Sequence, residues 1–129
     1  MVMVKNAVYT KDAPKPLGAY SQAIKAGEFV FTSGQLPIDP ATNQIVGSTI
    51  EEQTRQVILN LKAILEKAGA GLEAVVKTNV YLKDLNDLQA MNEVYGEFFD
   101  PSWTARMVFQ AARLPRDVLV IMDMTAFLG

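Results

Sequence analysis

An arginine near the start of a predicted C-terminal strand is the strongest candidate for chemistry in this chain. Arg106 lies between Ala105 and Met107, and no acidic residue occurs within five positions of it. A strand arginine with apolar neighbours is costly to bury unless it meets a carboxylate or a phosphate. Two interpretations follow. In the first, Arg106 forms a structural ion pair with Asp123, the single charge in the final apolar strand. In the second, its guanidinium binds a ligand carboxylate through two parallel hydrogen bonds.

Small, hydroxyl and amide residues occur at the ends of two other predicted strands, in Gly18–Gln22 and in Thr32–Gln35. Each run alone is more typical of turn geometry or strand capping than of a binding site. Asn92 lies close to the apolar stripe of a predicted helix, as either a satisfied core amide or a donor that faces a cleft. None of these features is specific without the others.

The composition narrows the chemistry further. The 129 residues are 50% hydrophobic and 20% charged, and they include no Cys and no His. This excludes a disulfide framework, a zinc-finger site, a thiol nucleophile and a histidine-based triad. No Asp/Glu-rich loop indicates a metal site. A net charge of -2 and a pI near 5.1 argue against nucleic acid as a partner, because phosphate contacts need clustered Lys and Arg.

The chain is expected to form one domain over residues 1–129, since it has no internal repeat, low-complexity tract or long linker. No segment approaches the roughly 20 apolar residues that cross a bilayer, so a membrane partner is not expected. The N-terminus lacks a long apolar stretch behind a basic start, and the expected location is therefore cytoplasmic.

Two amphipathic helices are predicted among several strands. Ser48 and Glu51 match a capping box ahead of an apolar stripe that ends at Gly69, a plausible left-handed stop. Asp84 is predicted to cap a second helix that ends at Pro101. The inward face of that helix comprises Leu85, Leu88, Met91, Tyr95 and Phe99.

Strands are predicted on both sides of these helices, which gives the order β-β-β, α, β, α, β-β. Leu36–Gly47 is rich in turn formers and is predicted to be an exposed loop with a brief extended piece. The predicted fold class is α+β, a mixed sheet with two helices on one face. The predicted strands are Met1–Lys5, Tyr20–Lys25, Phe29–Ser33, Ala74–Lys83, Ala105–Ala112 and Val118–Phe127.

The last strand indicates how the sheet is covered. Val118–Met122 is apolar at every position, so both of its faces are expected to be buried. Two helices can cover one face of such a sheet. The other face is therefore expected to meet a second copy of the chain, which predicts a homo-oligomer.

Taken together, these motifs resemble the RidA/YjgF family of enamine/imine deaminases, some of whose members are named as endoribonucleases or translation inhibitors. The resemblance spans nearly the whole chain. It rests on Pro16–Ala23 (PLGAYSQA), Phe31–Pro37 (FTSGQLP), Val76–Leu85 (VKTNVYLKDL) and the segment from Ala105-Arg106 to Leu114-Pro115. The family implies a chorismate-mutase-like α+β fold, a homotrimer with ligand clefts between subunits, and hydrolysis of 2-enamine and 2-imine acids to 2-keto acids and ammonia without a cofactor.

The same resemblance implies roles for individual residues. Arg106 would hold the substrate carboxylate, Tyr20, Ser33, Gly34 and Asn92 would line the cleft, and the backbone at Val108 would contact the ligand. A protonated imine is already a strong electrophile, so an enzyme mainly has to bind the carboxylate and position one water.

Two positions depart from the family pattern. Ile121 stands where the family has a glutamate that is thought to position or activate the water, and Thr104 replaces the common proline. Losing a general acid or base typically costs about 10²–10⁴ in rate. Asp123 is two residues further along the same side of the strand. The alternative function is therefore a weak or silent trimer that binds small carboxylates as a sensor or regulator. RNA cleavage is disfavoured, because the chain has no His and no basic stripe.

Overall fold

The computed structural model describes residues 5–129, which form two α-helices and eight strands. The predicted strand at Met1–Lys5 lies outside the described residues except for Lys5, where the first strand begins. The helices are α1 (Ile50–Lys67) and α2 (Leu88–Phe98). The strands are β1 (Lys5–Val8), β2 (Ala23–Ala26), β3 (Phe29–Thr32), β4 (Ile38–Asp39), β5 (Gln44–Ile45), β6 (Val75–Leu82), β7 (Ala105–Gln110) and β8 (Val120–Phe127).

Six of the strands form one mixed sheet in the order β1-β2-β3-β8-β6-β7. β6 and β7 are parallel, because α2 connects them, and the other neighbours are antiparallel. β4 and β5 form a separate small hairpin. The helices pack against each other and against the sheet, and the predicted α+β class is confirmed.

Helix α1 begins one residue later than the capping box at Ser48 predicts. Thr49 is the last extended residue, and its hydroxyl oxygen accepts a hydrogen bond from the backbone N–H of Glu52 at 3.2 Å. The Glu52 carboxylate accepts the N–H of Thr49 at 3.3 Å and completes the box. The prediction for Gly69 agrees with the structure, where this residue has a φ of 93° just after the helix.

Helix α2 also begins later than predicted. Asp84 accepts the backbone N–H of Asn86 at 2.9 Å, but it caps a single 3₁₀ turn at Leu85–Asp87 that precedes α2. Leu85 is consequently 44% exposed, and the prediction that it faces the core is wrong. Further along, Met91, Tyr95 and Phe99 are buried as predicted, and α2 ends before Pro101.

The outer face of the sheet, opposite the helices, is partly covered by the chain itself. Ile121 packs against Leu36, Ile38 and Val118, so Leu36 and Ile38 are buried although their segment is predicted to be an exposed loop. Asn60 of α1 holds this segment by donating to the carbonyl oxygens of Leu36 at 3.1 Å and Ile38 at 2.9 Å. The double burial of Val118–Met122 therefore arises within one chain and does not itself require a second copy.

The rest of the outer face carries exposed apolar side chains. Its large members are Phe29, Phe31, Met107, Phe109 and Phe127, which are each 40–53% exposed. Clusters of this kind are typical of surfaces that contact another protein. The homo-oligomer therefore remains a prediction, now based on these exposed side chains and not on the burial of the last strand. Among the described residues, neither helix is long and apolar enough to span a bilayer.

Candidate functional site

The sheet register decides which face carries Arg106. Arg106 lies opposite Thr78 of β6, whose side chain is buried beneath the helices. Asp123 lies opposite Asn79, the next residue of β6, whose side chain points to the outer face. Arg106 and Asp123 are thus on opposite faces of the sheet, and the structural ion pair between them is excluded.

Asp123 has other partners. Its two carboxylate oxygens accept hydrogen bonds from Asn79 Nδ2 at 2.9 Å and from the Tyr81 hydroxyl at 2.8 Å. Partial burial raises the pKa of Tyr81, and its hydrogen bond to Asp123 raises that pKa further. The tyrosine therefore stays protonated as the donor of this pair at neutral pH.

Arg106 opens into a hollow of about 280 Å³ between α2 and β7. This volume is at the small end for ligand sites, which suits a small metabolite. Within residues 5–129 the guanidinium makes no ion pair, and its Cζ lies 4.7 Å from the centroid of the Tyr95 ring. The hollow is lined by Asn92, Tyr95, Gly96, Phe99, Pro101, Thr104 and Arg106.

Tyr95 forms the buried wall of this hollow. Burial raises the pKa of its hydroxyl, while the neighbouring hydroxyls of Thr78 and Thr104 and the positive charge of Arg106 act to lower it. Tyr95 is neutral at physiological pH, so no phenolate offsets the positive charge of the Arg106 guanidinium in the hollow. The helical pattern of the sequence predicts only a core role for Tyr95. Its spacing of three residues from Asn92, about one helical turn, is the signal that places both side chains near each other.

Tyr20, Ser33 and Gly34 form a second group, away from the hollow beside Arg106. The Ser33 hydroxyl donates to the carbonyl oxygen of Ser21 at 2.6 Å, and the Tyr20 hydroxyl accepts the backbone N–H of Leu17 at 3.0 Å. A Cβ added at Gly34 would lie 3.1 Å from Cγ2 of Ile121, so glycine permits the close approach of this segment to β8.

This second group forms little enclosed space within one chain. Tyr20 and Gly34 line a depression whose volume is about 10 Å³, too small to enclose a metabolite. The structure therefore brings Asn92 to Arg106 and Gly34 to Ile121, but Asn92 and Arg106 line one hollow while Tyr20 and Gly34 line another.

Val108 lies on the same strand as Arg106 but does not line the hollow. It follows Arg106 by two residues on β7, so the two side chains share a face and lie roughly 6.6 Å apart along the strand. Val108 is half-buried and packs against the core. Across the described part of the chain, no three acidic side chains lie close enough together to hold a metal ion.

Comparisons with known proteins identify relatives over nearly the full length. Residues 10–128 match the model of the family described as Endoribonuclease L-PSP. A RutC family protein of Pyrococcus abyssi is 57% identical, over 97% of this chain and 98% of the relative.

Solved structures agree with the sequence match. RidA from the Antarctic bacterium Psychrobacter sp. superposes with a TM-score of 0.91 at 39% identity, covering 95% of this chain and 98% of that one. E. coli TdcF, solved with bound serine, superposes with a TM-score of 0.90 at 37% identity, covering 96% and 99% of the two chains.

Proposed function

Since this chain belongs to the Endoribonuclease L-PSP family, which includes RidA and the RutC proteins, we propose that it hydrolyses 2-imino and 2-enamino acids to 2-keto acids and ammonia. The observation that carries the proposal is the Arg106 guanidinium. It faces a hollow of about 280 Å³ and makes no ion pair within residues 5–129. A planar cation with free N–H donors is suited to bidentate binding of a carboxylate.

The chemistry needs little more than binding and orientation. Water adds to the C2 carbon of the protonated imine, a proton moves to the nitrogen, and the C–N bond breaks to release ammonia and the 2-keto acid. Arg106 would hold the carboxylate next to the reacting carbon, and the Asn92 amide, in the same hollow, would orient the polar end of the substrate. The serine bound to the related TdcF is a small carboxylate with a nitrogen on C2, the same arrangement as in these substrates.

The complete site is proposed to form between copies of the chain in a homotrimer. Arg106, Asn92 and Val108 would come from one subunit, and Tyr20, Ser33 and Gly34 from its neighbour. Support comes from the separation of Arg106 and Asn92 from Tyr20 and Gly34, because these pairs line different hollows, one of them with almost no enclosed volume. The exposed apolar side chains of the outer face would supply the contact between subunits.

A second candidate is a carboxylate-binding protein with little or no turnover. Ile121 stands beside Gly34 and is buried among Leu36, Ile38 and Val118. An apolar side chain therefore lies where the family resemblance implies a glutamate. Asp123 lies on the same face, but Asn79 and Tyr81 already bind its two oxygens. Neither residue is an evident base for the attacking water.

The test is the hydrolysis rate of freshly generated 2-iminopropanoate and 2-iminobutanoate, with and without the protein. We expect a rate above the uncatalysed background that is lost in Arg106→Ala. The matched control is Arg55→Ala, because Arg55 also stacks on an aromatic ring, at 5.7 Å from the Phe98 centroid, but lies outside the hollow beside Arg106. The control is expected to keep the wild-type rate.

The same assay separates the two candidates. A well-folded wild-type protein that binds 2-oxobutanoate but leaves both imines at the background rate would contradict the deaminase and favour the silent binding protein. In that case Ile121→Glu is expected to create or greatly raise the rate. Equal rates in wild type and Arg106→Ala would contradict the role of Arg106.

A further inference from the structure

The Arg106 side chain is supported by a stack of aromatic rings. Its Cζ lies 4.7 Å from the centroid of Tyr95, whose ring stacks on Phe99 at 4.4 Å with an interplanar angle of 20°. Phe99 in turn contacts Trp103, with the ring centroids 5.9 Å apart. Tyr95 is 7% exposed, so the ring under the guanidinium is held by packing on its far side.

We propose that Tyr95 is a positioning residue, whose ring face holds the Arg106 guanidinium toward the hollow in place of a carboxylate. A cation over an aromatic face is attracted by the negative potential of the ring, and this contact uses none of the guanidinium N–H groups. The donors therefore stay available for a ligand. A protein carboxylate in the same place would orient Arg106 equally well, but it would compete with the substrate carboxylate.

Arg55 shows the contrasting arrangement in the same chain. It also lies over an aromatic ring, that of Phe98, but its two terminal nitrogens donate to the Glu97 carboxylate at 3.1 and 2.9 Å. Its donors are occupied by a neighbouring side chain. Arg106 keeps the aromatic support without the carboxylate, and this difference distinguishes an arginine placed for a ligand from one placed for structure.

The ring of Tyr95, rather than its hydroxyl, carries this role. The Oη atom is buried and makes no hydrogen bond to any residue of the described range 5–129, although the hydroxyls of Thr78 and Thr104 are neighbours. The buried Thr78 hydroxyl likewise has no partner in that range. A phenylalanine at position 95 would keep the face under Arg106 and remove an unsatisfied buried hydroxyl. Tyr95→Phe removes only the hydroxyl, whereas Tyr95→Leu removes the ring as well. Comparing the two variants therefore separates the effect of the ring from that of the hydroxyl.

This inference rests on the proposed carboxylate site, so the experiment begins with binding. The dissociation constant of 2-oxobutanoate is measured for wild type, Arg106→Ala, Tyr95→Phe, Tyr95→Leu and Val94→Ala, together with KM and kcat for 2-iminobutanoate where turnover is found. Val94 is a buried residue of α2 that does not line the hollow. Its truncation controls for a loss of stability that is unrelated to Arg106.

We expect Tyr95→Leu to raise Kd and KM by about fivefold, the size of a cation–π contact to an exposed guanidinium such as that of Arg106, while kcat changes by less than about twofold. Tyr95→Phe is expected to restore both constants to within about twofold of wild type, and Val94→Ala to leave them unchanged. A folded Tyr95→Leu with the wild-type Kd, or a Tyr95→Phe as weak as the leucine variant, would overturn the proposal.

Fluorinated phenylalanines at position 95 provide the second measurement if Tyr95→Leu does not fold. Each added fluorine withdraws electron density from the ring face while its shape is nearly kept. Kd is therefore expected to rise stepwise with the number of fluorines, and a constant Kd would refute the cation–π role. If wild type binds no 2-oxobutanoate, the carboxylate site and this inference both fail. If binding depends on Arg106 but not on the ring, this inference alone fails.

Discussion

Replacing Gln22 by methionine is expected to cost about 3 kcal/mol of unfolding free energy. The Gln22 side chain is fully buried, and its Oε1 accepts the backbone N–H of Thr10 at 2.7 Å. Its Nε2 donates to the carbonyl oxygens of Thr10 at 3.0 Å and Pro14 at 2.9 Å. Methionine has a similar length but satisfies none of these groups. Each stranded buried group costs about 1–3 kcal/mol, and the two carbonyls regain part of this by local relaxation.

The assay is urea unfolding at one fixed protein concentration, because association would otherwise shift the midpoint. We expect an unchanged m-value and a lower urea midpoint, such that the unfolding free energy in water falls by about 3 kcal/mol, or a melting temperature lower by roughly 10 °C. Gln44→Met is the matched control, since Gln44 is exposed on β5. A loss below about 1 kcal/mol for Gln22→Met would refute the reasoning, because it would mean that water already reaches these backbone groups.

Three further perturbations test other parts of the fold. Gly96→Ala is expected to stabilise the protein by about 0.5–1 kcal/mol in urea unfolding, because a Cβ there meets no atom of the described residues within 4 Å and alanine is the better helix former. A loss of stability would contradict the open space at this position. Thr49→Ala is expected to cost about 1 kcal/mol and Ser48→Ala much less, and the reverse order would contradict the observed cap. Tyr81 has a pKa raised above its ordinary value of 10.0, so its contribution is complete below about pH 10 and is lost as pH rises through the higher folded-state pKa. Urea midpoints from about pH 8 to 11 are therefore expected to fall more steeply for wild type than for Tyr81→Phe, and parallel slopes would contradict the shift.

The sequence predicts the elements of this fold better than their ends. Ser48 with Glu51 and Thr49 with Glu52 are two capping boxes in adjacent registers, and local chemistry does not distinguish them. The path of the preceding chain through Gly47, at a φ of 62°, makes Thr49 the last extended residue. The burial of Leu36 and Ile38 likewise depends on contacts with Ile121 and Asn60 that are distant in sequence.

For the candidate site, residue types could be predicted but not their partners. Which face of the sheet carries Arg106 depends on the pairing of β7 with β6, and a shift of one residue in that register would have moved its side chain to the side of Asp123. The same tertiary pairing gives Tyr95 its second role beneath the guanidinium. Helical periodicity identifies Tyr95 as buried, but it cannot identify what the exposed side of its ring meets.

The position of β8 has a consequence for how the chain reaches this structure. β8 is the last strand in sequence, yet it lies between β3 and β6 in the interior of the sheet. Until residues 120–127 are synthesised, β1-β2-β3 and β6-β7 are two unconnected pieces, each with an unpaired strand edge facing the missing strand. The sheet therefore cannot be completed until β8 has been synthesised, and it forms in a late step dominated by contacts between residues distant in sequence. Such a topology is associated with slow folding and exposure to aggregation.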